Sequence, residues 1–294
     1  MFQAMRKNSL LISLSITLLA IAAYCQLLMP SYIADGLSSI ISGEHNFTYV
    51  FAFSVAFLCK NAMQSLGSCL ASYIESDTRF FLIHVIMQNA DAKNVAKKTT
   101  LIKEDAERVA SAVSEIIHLA GSCILTVSTA YILINQNIYF LAPIIVIAIF
   151  TTRHIRSSAE KVQECYKAEI KKEELYKASI LNIFNMSTLK QSSIDASLAE
   201  NAIHLDEATY ARYHYNKMTL IVSFWPEIII AASTAFIILL SATFSNELFG
   251  VQLIAYLGYI GVFSMASAST VRMALSLIGI NVSVKRIFEN ATNE

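Results

Sequence analysis
The chain has 294 residues, of which 55% are hydrophobic and only 15% charged, and Lys+Arg balance Asp+Glu at 22 each. Soluble globular proteins carry roughly 25% charged residues, so this composition argues against a soluble domain. The 3 Pro and 8 Gly favour long helices over a turn-rich β fold, and long apolar runs replace the short alternating segments of a membrane β-barrel.

A spanning helix needs about 20 mostly apolar residues. The first uncharged run covers residues 8–34, with its core at 10–30, directly after Arg6 and Lys7. It is longer than the apolar region of a secretory signal and continues past the small-residue pattern Ala20-Ile21-Ala22, so it reads as a retained first span. The second span, 47–74, is interrupted by one charge, Lys60. Residues 116–152 contain no charge at all, and Asn135-Gln136-Asn137 divides that run into two spans, 116–134 and 138–152. The fifth span, 218–242, contains Glu227, and the sixth covers 248–271.

Lys and Arg follow this division. The N-terminus has two, residues 79–108 have six, residues 153–217 have ten and the C-terminal end has three. The short connections near 31–46, 135–137 and 243–247 have none. By the positive-inside rule, both termini and both long connections are cytoplasmic, in a multi-pass protein of a bacterial inner membrane or a plasma membrane.

The long connections, 75–115 and 153–217, contain neither Pro nor Gly and are rich in Ala, Lys, Glu, Leu and Ile. Ile155, Val162, Tyr166, Ile170, Leu175 and Ile180 share a broad stripe at helical spacing. One helix over 138–183 would be about 69 Å long. The expectation is of two helical hairpins with tips near 90–98 and 183–189. A separate soluble helical pair is the other reading of these segments.

Three stretches then carry a resemblance. They are Thr99-Thr100-Leu101-Ile102-Lys103-Glu104-Asp105-Ala106-Glu107-Arg108-Val109, the tip segment from Ala178-Ser179-Ile180-Leu181-Asn182-Ile183 to Thr188-Leu189-Lys190, and Val284-Lys285-Arg286-Ile287-Phe288-Glu289. With the topology, they resemble the transmembrane domain of ABC exporters over nearly the whole chain, as a single domain, 1–294. Thr100, and Asn185 or Ser187, stand where that family often has Gly. The resemblance implies an all-α fold of six spans with long cytoplasmic extensions. It implies a homo- or heterodimer in the lipid bilayer, with tips that dock on a separate P-loop ATPase through Asp91, Lys93, Asn94, Lys97, Asn185, Met186 and Ser187. ATP and Mg would sit on that partner. None of the eight Gly of this chain lies in a phosphate-binding loop, which implies that the nucleotide-binding domain is on another chain.

No nucleophile–base pair, cofactor motif or metal-ligand spacing stands out, and the five Cys include no CxxC. The chain reads as a permease subunit, not an enzyme, with no catalytic, cofactor or metal residues of its own and no nucleic-acid partner. Ionisable groups inside a span are functional candidates. Lys60 and Glu227 have opposite charge and similar expected depth, so they are expected to pair or to line a polar cavity. Pro226 would kink the fifth span beside Glu227. Tyr256, Tyr259 and Phe263 at i, i+3, i+7 either line a path or pack between helices. Two other functions remain open: a proton-driven carrier with Glu227 as the coupling acid, and a non-transporting regulatory or immunity protein. The nearly uncharged spans favour amphipathic or lipidic cargo, including peptides, over small ions.

Overall fold
The computed structural model describes residues 8–43, 47–89, 101–136, 138, 141–185, 191–244 and 251–292. They form seven long helices: α1 (Ser9–Ile41), α2 (Thr48–Asn89), α3 (Ala106–Gln136), α4 (Leu141–Asn185), α5 (Gln191–Phe244), α6 (Val251–Ser276) and α7 (Ile280–Thr292). A π-helical turn, Leu101–Asp105, leads into α3, and a 3₁₀ turn, Leu277–Gly279, lies between α6 and α7. No strand occurs among the described residues.

The long connections are helical where they are described. The 45 residues of α4 make one helix of about 68 Å, close to the expected length, and the 54 residues of α5 one of about 81 Å. No Pro or Gly interrupts α4, and α5 continues through Pro226. Of the polar stretch expected to divide the apolar run, Asn135 and Gln136 close α3, and Asn137 lies outside the described residues.

Three helices are long and apolar enough to cross a membrane: Ser9–Ile41, Ala106–Gln136 and Ile254–Ser276. They mark the chain as a multi-pass membrane protein. The other three expected spans are weaker by composition. Lys60, Asn61 and Gln64 interrupt α2, α4 reaches Arg153 after a short apolar start, and α5 holds Glu227.

The chain divides into two compact units. The first comprises Met1–Glu75, Val113–His154 and Phe224–Ala274, and the second Ser76–Ala112, Ile155–Ser223 and Leu275–Glu294. Among described residues, Lys60, Arg153 and Arg272 are the first unit's Lys and Arg; the others fall in the second.

The first unit packs through small residues. Leu19 of α1 is buried with Ala71 and Ile74 of α2 and Val113 and Ile117 of α3. It fits because Gly67 and Gly121 flank it: a Cβ at either would lie 3.0–3.1 Å from Leu19 carbons. Ser15, fully buried one turn earlier, donates to the Gly67 carbonyl at 2.8 Å. On α6, a Cβ on Gly258 would lie 2.8 Å from Pro30 Cβ, closer than side-chain atoms approach, so only Gly admits this contact between α1 and α6. Such small-residue contacts let apolar helices come close where no hydrophobic drive separates helix from lipid. Outward-facing stripes are apolar, with Phe51, Val55 and Leu58 on α2 and Val127 and Tyr131 on α3 exposed.

In the second unit, the Tyr166 side chain of α4 is fully buried. Its hydroxyl is 2.8 Å from Ser283 Oγ of α7, and its ring tilts against Tyr215 of α5 at 5.5 Å. The Arg108 guanidinium of α3 stands 4.5 Å over the same ring. Gln163 Nε2 donates to the Ile278 carbonyl at 3.2 Å. The Tyr166–Ser283 contact joins α7, a helix of thirteen residues, to α4, and the Gln163 bond ties α4 to the 3₁₀ turn before it.

Candidate functional site
Glu227 forms an ion pair within the chain, but with Arg272 rather than Lys60. Arg272 Nη2 lies 2.6 Å from Glu227 Oε1, linking α5 to the C-terminal part of α6. The physical reason is reach and level: α5 and α6 bring Glu227 beside the last turns of α6, and the long Arg272 side chain, 70% exposed, spans the remaining distance. Glu227 is therefore level with a residue at the end of the apolar run 248–271. Lys60 is half-buried on α2, with no ion pair among the described residues.

Pro226 lies one residue before Glu227 inside α5 and has no N–H to donate into the helical ladder. Tyr259 and Phe263 are buried, at 6% and 2% exposure. Tyr256 is half-buried. Of the expected ATPase-contacting residues, Asp91, Lys93, Asn94, Lys97, Met186 and Ser187 lie outside the described residues, and Asn185 closes α4.

A charge cluster that was not anticipated forms in the second unit. The Arg286 guanidinium of α7 pairs with Glu174 of α4, and its Nη1 is 3.2 Å from Asp105 Oδ2, just before α3. Lys177 pairs with Glu104 and, at 3.3 Å, with Glu173. Asp105 is 1% exposed, and burial pushes its carboxyl up to about 6, although Arg286, Ser283 and Arg108 pull it down. Ser283 stands near enough to favour the carboxylate, but no hydrogen bond of ordinary geometry reaches either Asp105 oxygen. Burial also raises Glu104, against the hydrogen bond from Lys177. Glu169 is buried, and desolvation raises it against the attraction of Arg108 and of Arg212, whose Nε is 3.8 Å away. Sequence spacing carries only the Glu173–Lys177 pair, at i and i+4 on α4; the other pairings join segments distant in the chain. For those, the one advance signal is that Asp105 and Arg286 both fall in stretches picked out by the resemblance.

Two cavities accompany these groups. A groove of about 570 Å³ between α4 and α5 in the second unit is lined by Cys165 and His214, 3.4 Å apart, and by the Lys172–Glu207 pair at 2.8 Å. A smaller cavity of about 160 Å³ lies among α1, α2, α3 and α6 in the first unit. Among the described residues, no group of three or more His, Cys, Asp or Glu is placed to hold a metal ion.

No protein-family model matches the chain, and no curated protein matches it in sequence.

Proposed function
We propose that this chain is the membrane-spanning permease subunit of an ABC-type exporter, with six crossings at 10–30, 47–74, 116–134, 138–152, 218–242 and 248–271 and both termini cytoplasmic. The observation that carries the reading is the Arg286 cluster. It joins the Asp105 stretch, the cytoplasmic part of α4 and the C-terminal helix, and two of those three stretches are the ones whose sequences resemble the exporter domain. A coupling element needs such a joint. Force applied to the hairpin tips is useful only if the cytoplasmic helices move together, and buried ion pairs with a shared tyrosine–serine contact resist sliding of one helix past another. Two copies, identical or not, would enclose the path, and the tips would dock on an ATPase carried by another chain, which would bind ATP and Mg.

The proton-driven alternative relied on Glu227 as coupling acid. Its carboxylate is held by Arg272, so proton uptake there would have to break a 2.6 Å ion pair, and we rank that reading second.

Mild-detergent purification of the tagged chain, with mass spectrometry of the co-purifying proteins, tests the proposal. A stoichiometric P-loop ATPase whose turnover rises in the presence of this chain is the expected result. A dimer of this chain alone that transports under a pH gradient would overturn it.

A further inference from the structure
The 160 Å³ cavity of the first unit brings together polar groups from four helices: Gln26 of α1, Gln64 of α2, His118 and Ser122 of α3, and Ser269 and Met273 of α6. Three of those helices are the ones long and apolar enough to cross a membrane. Polar side chains in such helices are costly unless they find partners, and when gathered in one place they mark a functional site. Some of these groups pair with one another. Ser122 Oγ is 3.4 Å from Ser269 Oγ and 4.0 Å from Met273 Sδ, both long contacts. One turn further along α3, Thr126 and Thr270 approach to 3.4 Å while each hydroxyl bonds its own helix backbone. Gln26, Gln64 and His118 add two carboxamides and an imidazole to the same lining.

Size and chemistry define that occupant. At roughly 30 Å³ per molecule, the space suits about five waters, and carboxamides, hydroxyls and an imidazole give each the two to four partners it needs. The lining carries no fixed charge. Cys25 beside Gln26, Lys60 one turn before Gln64, Cys123 beside Ser122, Glu115 one turn before His118 and Arg272 beside Met273 are the nearest titratable groups along these helices, and none of them lines the cavity. His118 supplies the one imidazole of the lining.

We infer that this cavity is a hydrated site within the spanning helices, and that His118 is its proton-binding group. A proton passes from hydronium to the imidazole lone pair, so that one O–H bond breaks, one N–H bond forms and neutral water remains. The imidazolium then donates to the cavity water and the neutral oxygens around it. The site is separate from the Glu227–Arg272 pair and does not depend on the exporter reading.

The full chain in lipid nanodiscs, with ¹³C-labelled histidine, tests this. His118→Gln identifies the His118 ring signal among the six histidines, with His118→Asn as a second assignment variant should the first misfold. The expected result is a reversible shift of that signal between neutral and acidic buffer. In parallel, Ser269→Cys should react with a hydrophilic thiol reagent, mapped by peptide mass spectrometry, at least about ten-fold faster than Val127→Cys, because thiol reaction requires the hydrated thiolate. Val127 is the comparison because it is 68% exposed on the apolar outer stripe of α3. A His118 signal that stays fixed over that range, or equal labelling at the two cysteines, would overturn the inference.

Discussion

Arg286 holds Asp105, a carboxylate 1% exposed, with Nη1 at 3.2 Å from Oδ2, and the same guanidinium pairs with Glu174. One cation on the C-terminal helix thus serves two carboxylates on two other segments. Removing one partner of a buried pair leaves an uncompensated charge, which costs more than the pair contributes. Arg286→Met should therefore lower stability at neutral pH by about 3 kcal/mol. The same substitution in an Asp105→Asn background should cost clearly less. Chemical or thermal unfolding in detergent, run as a double-mutant cycle, measures the difference, and equal costs would mean that the pair is not coupled.

The raised Asp105 carboxyl makes stability depend on pH with a definite sign. Its ordinary value is 3.8 and its folded value is about 6, chiefly because burial disfavours the charge. The folded chain then binds this proton more tightly than the unfolded chain does. The resulting stabilisation is fully present below the ordinary value and is lost as pH rises through about 6. Asp105→Asn cannot titrate, so the fall in unfolding midpoint from acidic to neutral pH should be shallower than in the parent chain. A parallel pH dependence in the two proteins would contradict this assignment.

Close helix approach in the first unit should be intolerant of small additions. Gly258→Ala places a methyl 2.8 Å from Pro30 Cβ, and neither a ring nor a backbone can yield easily there. We expect a loss of about 1–3 kcal/mol by overpacking. Gly261→Ala meets nothing within 4 Å and should be close to neutral. Unfolding midpoints of the two variants, measured side by side, test the contrast.

Leu19 and Ser15 report on the same three-helix contact by different chemistry. Leu19→Ala removes the side chain flanked by Gly67 and Gly121 and should cost about 2–5 kcal/mol. Ser15→Ala deletes one buried hydrogen bond to the Gly67 carbonyl and should cost about 1 kcal/mol. If Ser15→Ala proved the more damaging, the contact would be held by its polar group rather than by packing.

For the intramembrane charges, the geometry predicts which partner matters. Exchanging Glu227 and Arg272 as a double substitution should restore stability lost by either single reversal, because the 2.6 Å pair is re-formed with its ends swapped. Exchanging Glu227 and Lys60 should restore nothing. Unfolding midpoints of the four single and two double variants decide between them.

Much of this protein is determined locally and was legible in the chain. Apolar runs at 8–34 and 116–152 mark helices α1, α3 and the start of α4, and the absence of Pro and Gly from 153–217 carries α4 and α5 through their long charged segments. Hydropathy, helix propensity and charge segregation act over one segment at a time, so they can be read without a fold. Which side chains meet cannot. Each residue turns a helix by about 100°, so partner choice depends on the rotation and level of two helices together. Only tertiary structure gives Glu227 to Arg272 rather than Lys60, sets Asp105 against Arg286, buries Tyr259 and Phe263, and gathers Gln26, Gln64 and His118 around one cavity. The chain by itself decides what is helical and apolar; helix packing decides where its few polar groups do their chemistry.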